Sequence, residues 1–539
     1  MRYLIFFLTF TLSLFSSEIA LREVILCSDA NDASLPNNGA QGIYLNGILP
    51  PSDPTPLRNE LQRILIGHHP TEERLAQAEA AITNFYKDNC HPLVLVRIPE
   101  QNISDGILKI EVKESTICRV TFCGNCYYDE CQLRKYICAQ EGEYLDIGLL
   151  EKDLVWINRN PFRDVFLVMQ PGDEDYTTNL QFVTKDYRPY RFFAGSDNTG
   201  YEATGEYRLF GGIRLGNLFN LDHQLSYQYT TSTDFGRFFA HTGQYVIPLP
   251  CRHLLDFYGG YSGIRAFVPL TGMTNKGHTW QFSGRYVIPF CSDPCFNHEM
   301  RVGFDYKHSD VNLILDAIPI LGNETVITQL ALGWAGSYEN PIANTGFELL
   351  WFISPGDIFA HQSDKDYQTL RPFADSTYTY VRGSITPLFA LPYCMEAVVR
   401  TEFQLASENL LSSEQFGLGG LDTVRGYDQR ILNTDNGFFL SGELRSPPYK
   451  PLSCKLPLED QYERLQLLGF VDYGLGTNHK ALPGQKNFFY LLSTGLGFRY
   501  YYNYHVSIRL NWGYPIHKDI ADNIHQNNST INYSAVISF

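Results

Sequence analysis

The chain has 539 residues, a formal net charge of −16 and an aromatic content of 14%, with 35 Tyr and 36 Phe against 5 Trp. It has no polybasic tract of the kind that neutralises phosphates, which excludes nucleic acid as a partner. Twelve cysteines suit an oxidising compartment. Met1-Arg2 opens the chain, followed by an apolar stretch to Phe15 and small residues at Ser16, Ser17 and Ala20. This is the anatomy of a signal peptide over 1–17, with cleavage falling between Ser17 and Ala20; a buried N-terminal helix is the competing reading. No later stretch reaches the ~18 uninterrupted apolar residues of a membrane-spanning helix. Any membrane entry must therefore use strands.

Residues 18–42 are polar and turn-rich and read as a linker. The spacing then predicts a strand over 43–48, helices over 57–66 and 71–86, and strands over 93–98 and 107–112. In the second helix Leu75, Ala78, Ala81, Ile82 and Phe85 share one face. The order recurs over 116–187, with a strand at 117–122, helices at 130–137 and 149–157, and strands at 165–170 and 179–184. Two consecutive βααββ units predict small sheets, each covered by two helices.

From about residue 190 helical periodicity gives way to alternation. Val506, Ile508, Leu510 and Trp512 alternate with Ser507, Arg509 and Asn511, and Leu225, Tyr227 and Tyr229 with Ser226, Gln228 and Thr230. A period of two places these sets on opposite faces. Sixteen such segments run to the C-terminus, an even number, as in single-chain bacterial barrels. A transmembrane antiparallel β-barrel over 188–539 is predicted, its apolar face toward lipid and its charged face toward the lumen; a large soluble β protein is the alternative. In the last segment Ile531, Tyr533, Ala535, Ile537 and the terminal Phe539 share a face. That pattern resembles the terminal strand read by barrel-assembly machinery, with Tyr533 and Phe539 as the signal.

The motifs carry a family resemblance. The first unit closes on Pro99-Glu100-Gln101-Asn102-Ile103-Ser104-Asp105-Gly106-Ile107-Leu108, close to a P-x-Q-x-(I/L)-x-x-G-x-L stretch. The second contains Asn158-Arg159-Asn160-Pro161 and, later, Pro171-Gly172. Both resemble the POTRA domains of the haemolysin secretion/activation family of two-partner secretion transporters. Asp88-Asn89-Cys90-His91 departs from the family's Gly-Tyr-like turn. Between the eleventh and twelfth segments, 407–435 contains Val424-Arg425-Gly426-Tyr427. The resemblance implies that this loop folds back into the lumen and that Arg425 pairs there with Asp472 of Phe470-Val471-Asp472. Register agrees, since Asp472 lies opposite the face carrying Leu465, Leu467, Gly469 and Val471. A guanidinium in a narrow lumen also calls for a carboxylate of matching fork geometry.

The resemblance further implies an outer-membrane transporter with periplasmic POTRA domains. It would export one partner exoprotein bearing an N-terminal secretion domain, without a cofactor. A barrel-assembly factor of the same superfamily is the alternative. Outer-membrane lipid and the barrel-assembly machinery are expected partners, and a monomer is expected. A family plug helix has only a short candidate around Ile19–Leu26. Enzymatic chemistry is not expected: Gly260-Tyr261-Ser262-Gly263-Ile264 lacks the last Gly of a nucleophile elbow, and no His spacing suggests a metal. Cys251, Cys291, Cys295, Cys394 and Cys454 all follow even-numbered strands and so share the periplasmic rim. With Cys123 and Cys126, whose spacing is that of a redox motif in the wrong context, they are candidate disulfide partners, or else free thiols.

Overall fold

The computed structural model describes residues 19–29, 42–267, 273–293, 295–315, 318–451, 462–484, 486–521 and 524–539. The signal-peptide reading of 1–17 lies outside them. Two compact units emerge: one reaches Arg159 and resumes over Arg163–Asp186, the other comprises Asn160–Phe162 and Tyr187–Phe539.

The first unit begins with β1 (Glu23–Cys27), β2 (Gly42–Asn46), α1 (Thr55–Leu65), α2 (Glu72–Asp88), β3 (Val94–Arg97) and β4 (Ile107–Glu114). The sheet order is β2-β1-β4-β3, with β1 parallel to both neighbours and β3 antiparallel to β4. β1 corrects the expectation of a linker or short helix before residue 42. Its Val24, Ile25 and Leu26 are all buried because it is an interior strand covered on both faces, so it lacks the alternation by which strands are recognised. Leu57, Leu61 and Leu65 of α1 and Ala78, Ala81, Ile82 and Tyr86 of α2 close over the sheet. Such packing, rather than helix propensity, supplies most of a short helix's stability.

The next elements are β5 (Thr116–Cys123), α3 (Glu130–Arg134), α4 (Ile147–Ile157), β6 (Arg163–Pro171) and β7 (Thr177–Asp186). They form a three-stranded sheet in the order β5-β7-β6, with β5 parallel to β7. Asp146 caps α4 by accepting from the Leu149 amide at 3.0 Å. Both repeats thus follow the predicted order of elements, apart from β1.

The second unit is a closed antiparallel barrel. Its strands are β8 (Tyr190–Asp197), β9 (Arg208–Leu218), β10 (His223–Ser232), β11 (Phe238–Pro248), β12 (Leu254–Phe267), β13 (Met273–Asp293), β14 (Phe296–Leu315), β15 (Ile318–Glu339), β16 (Ala343–Pro355), β17 (Thr377–Ala390) and β18 (Glu396–Ala406). A short helix, α5 (Asp364–Leu370), lies between β16 and β17. The small strands β19 (Phe416–Leu418) and β20 (Leu432–Thr434) pair with each other within the segment after β18. The wall continues with β21 (Asn436–Arg445), β22 (Glu463–Thr477), β23 (Phe488–Tyr502) and β24 (Val506–Pro515). After the minor pair β25 (Asp519–Ala521) and β26 (Ile524–His525), β27 (Thr530–Ser538) pairs with β24 and β8 and completes sixteen wall strands.

Closure removes the free edges that an open sheet would expose. At the seam the Phe539 amide donates to the Phe192 carbonyl at 2.8 Å, and the Phe192 amide returns a bond at 3.1 Å. Tyr533 is also held there, its hydroxyl 3.0 Å from Ser196 Oγ.

The outer face carries two aromatic levels. Trp280 of β13 pairs with His308 of β14, and ten residues further along β13 Phe290 pairs with His298. Ten residues at ~3.3 Å each, tilted by ~40°, span ~25 Å, the height of the apolar band of an outer-membrane barrel. Between these levels Phe282, Met300, Val302 and Phe304 point outward and are more than two-fifths exposed. A water-facing surface does not carry so continuous an apolar belt.

Candidate functional site

The segment between β18 and β21 is long for a hairpin and turns into the barrel. β19 and β20 make its stem, and Gly419 and Gly420, with φ of +105° and +103°, turn the chain beyond it. Phe416, Leu418, Val424, Tyr427 and Leu432 then pack against Phe439 of β21 and Leu491 of β23. The wall makes room for them: a Cβ on Gly474 of β22 would sit 2.7 Å from Val424 Cγ2. An apolar cluster inside a polar lumen gives the loop a docked position of its own.

At its tip Arg425 meets Asp472. Arg425 Nε donates to Oδ2 at 2.8 Å and Nη2 to Oδ1 at 2.8 Å, and the Arg425 amide adds a bond to Oδ2 at 3.0 Å. The two residues are 5% and 0% exposed. Two further partners belong to the cluster beyond those the sequence indicates. Nη1 donates to Glu443 Oε2 at 2.8 Å, Nη2 donates to Ser441 Oγ at 3.0 Å, and that hydroxyl donates to Asp472 Oδ1 at 2.6 Å. Arg499 and Arg445 approach Glu443 from the other side at 3.1 and 2.6 Å. The guanidinium lies over the Phe470 ring, its carbon 3.5 Å from the centroid, which assigns Phe470 of the F-x-D sequence a contact. Two carboxylates around one central guanidinium, with every fork nitrogen bonded, satisfy the burial of all three charges.

Gly426 and Tyr427 complete the motif. Gly426 has a φ of +92°, and a Cβ there would come within 2.9 Å of the Gly513 backbone of β24. Only glycine permits both the conformation and the approach. The Tyr427 hydroxyl donates toward the Leu492 and His517 carbonyls at 2.8 and 2.6 Å and accepts from the Leu492 amide at 3.1 Å. Val424 is fully buried in the cluster.

Two cavities in the lumen are lined by described residues. One, of about 190 Å³, lies beside the tip and is lined by Arg400, Arg425, Arg445, Arg499 and Arg509 together with Asp422 and Glu443. The other, of about 600 Å³, lies against β8 to β13 and is lined largely by Ser226, Gln228, Thr242, Gln244, Ser262, Thr279 and Gln281, with Arg214 its one charged residue.

In the first unit Gln101 clamps the turn before β4. Its amide accepts from the Lys109 amide at 2.7 Å and donates to the Lys109 and Pro99 carbonyls at 2.7 and 3.2 Å. Gly106, at φ +70°, accepts from the Arg22 and Glu23 amides at 2.8 and 3.2 Å, tying the turn to the start of β1. Asn158 bridges the end of α4 to β6 through both the amide and the carbonyl of Val165, at 2.7 and 3.0 Å. The Arg159 guanidinium lies 5.8 Å from the Trp156 ring centre, and Pro161 follows in the segment before β6.

Among the described residues Cys123, Cys126, Cys251 and Cys394 carry free thiols within the chain. Cys251 and Cys295 occupy hairpin turns two strand spacings apart, ~10 Å, beyond the ~4.4–6.8 Å between Cα atoms that a disulfide spans. Cys126 turns its thiol to the Gly124 carbonyl at 3.7 Å. Cys454 and the Cys291 side chain lie outside the described residues.

A closed sixteen-strand barrel with a loop docked in its lumen, preceded by βααββ units, defines the POTRA-plus-barrel class of outer-membrane proteins. Residues 177–500 match the family described as haemolysin secretion/activation protein ShlB/FhaC/HecB, and residues 41–115 match the ShlB-type POTRA domain. The chain belongs to the haemolysin secretion/activation protein family. It is similar to the heme/hemopexin transporter protein HuxB of Haemophilus influenzae, at 23% identity over 81% of this chain and 77% of the relative. It is also similar to the outer membrane transporter CdiB of Dickeya dadantii, at 24% identity over 76% and 71%. The solved structure of CdiB from Escherichia coli shares the fold, with a TM-score of 0.76 at 17% identity over 99% of this chain and 93% of that one. The protein is thus an outer-membrane transporter of two-partner secretion, with its POTRA region in the periplasm.

Proposed function

We propose that the docked loop is the gate of this transporter and that Arg425 with Asp472 is its latch. The observation that carries the reading is the docked loop itself, joined through Arg425 to carboxylates of β21 and β22. The contact does no bond-making chemistry. It holds the loop across part of the lumen until an unfolded exoprotein, recognised by an N-terminal secretion domain, arrives from the periplasm. An exposed POTRA sheet edge receives that chain by strand addition, which uses backbone hydrogen bonds and tolerates varied sequence. The loop then leaves the wall, and folding of the cargo outside drives transit. The barrel works as a monomer in outer-membrane lipid, and its terminal strand with Tyr533 and Phe539 is the signal read by the assembly machinery.

Deleting the chain and comparing the exoproteome with the outer-membrane proteome tests the single-partner export on which this reading rests. Loss of one secreted protein with the barrels intact is expected. Broad loss of outer-membrane barrels would replace export by barrel assembly.

A further inference from the structure

The loop is held a second time, eleven residues before Arg425 and with the charges reversed. Glu414 lies on the limb that leads from β18 to β19, and its carboxylate is 1% exposed. Lys307 of β14 donates to both oxygens, at 2.7 and 2.9 Å. The Tyr380 hydroxyl of β17 donates at 2.8 Å and the Gln329 amide of β15 at 3.3 Å. Gln329 continues to Asp305 at 2.9 Å, and Asp305 is paired with Arg285 at 2.6 Å. The carboxylate is thus bonded by side chains of three wall strands, none of which contributes to the Arg425 cluster. At the tip the loop supplies the cation and the wall the carboxylates. At the limb the loop supplies the carboxylate and the wall the cation.

A buried pair that only braced the barrel would draw both partners from the wall. Here the carboxylate sits on the loop, and Lys307, Tyr380 and Gln329 line the inner face. If the loop leaves, Lys307, Tyr380 and Gln329 become ordinary polar groups of a water-filled lumen, so the contact can open without stranding a charge in apolar surroundings. The reversed polarity also fixes orientation, because exchanging the two ends would set like charges together.

We propose that Glu414, with Lys307, Tyr380 and Gln329, is a second clasp that positions the loop. It must release together with the Arg425 contact before the lumen can open. This rests on the reading of the loop as the gate. The test uses full-length protein reconstituted in planar lipid bilayers, with salt as the only permeant species. Glu414→Gln and Lys307→Gln are each expected to raise the frequency of large openings about tenfold, the effect of losing a charge-assisted hydrogen bond. The exchange K307E/E414K should return it to near the wild-type level. Tyr380→Phe, which removes one donor without unpairing a charge, should give a smaller rise and guards against a folding defect in the charge variants. If Glu414→Gln, Lys307→Gln and Tyr380→Phe all open at the wild-type rate while Arg425→Gln opens freely, the second clasp is overturned and the gate reading stands. An exchange variant as open as the single variants also overturns the clasp. If Arg425→Gln itself leaves the openings unchanged, the gate reading falls with it.

Discussion

The two sides of the lumen differ although one continuous sheet builds both. From β14 round to β27 the inner face is covered by the loop and carries Lys307, Arg382, Glu402, Glu443, Asp472 and Arg499. From β8 to β13 the cavity of about 600 Å³ is lined mainly by Ser, Thr, Gln and Gly. The wall of that cavity, with Arg214 its one charged residue, is thus poorer in charge than the face the loop covers, although the same strands also carry Asp256 and Arg285. In an evenly charged pore the two sides would match; here several of the ionic side chains seat the loop, while Arg301 with Glu348 and Arg464 with Glu396 pair within the wall. The side left open offers mainly neutral hydrogen-bonding groups beside Arg214.

The comparison can be broken by removing what seats the loop. Arg425→Ala leaves Asp472 and Glu443 without the guanidinium between them, and breaking one partner of a buried pair costs ~3–5 kcal/mol. The expected result is protease cleavage within 407–435 in folded barrels, together with loss of secretion; a loop still protected would deny the latch. Gly426→Ala should follow, at ~1–3 kcal/mol, because it forces a side chain into the left-handed region against the Gly513 backbone. A lowered thermal midpoint of the purified barrel is the check. Tyr427→Phe strips the Leu492 amide and two carbonyls of their shared partner, a loss of ~1–3 kcal/mol read as partial protease exposure of the same loop.

The smallest effect should come from the open side. Ser262→Arg places a second charge in a cavity otherwise lined by Arg214 and uncharged residues and is expected to slow export with no change in barrel stability, measured by pulse-chase secretion beside a thermal melt. An unfolded barrel, or secretion at the full rate, would erase the distinction between the two sides.

Much of this architecture was legible before any coordinates. The alternation marked all sixteen wall strands, with most starts within a few residues, because a half-solvated strand writes its period of two into the sequence. Register alone put Asp472 on the inner face, and the loop motif supplied Arg425. β1 was missed for the opposite reason: Val24-Ile25-Leu26 is covered on both faces, and a short apolar run shows no period to read. Ser441 and Glu443 were legible only as polar residues on the lumen side of a strand. Nothing local distinguished them from Arg400 or Glu402.

The sequence by itself thus determined the order of elements in two βααββ units, a sixteen-strand barrel and the residue types of the Arg425–Asp472 pair, since these depend on local periodicity and motif. Only the tertiary structure decided which charges meet. Lys307 and Glu414 stand 107 residues apart, and Arg425 joins Glu443 and Asp472 from two different strands. Such pairings depend on how the sheet curves and closes and on the path the loop takes within it. Both come from contacts between distant strands, and no run of neighbouring residues encodes them.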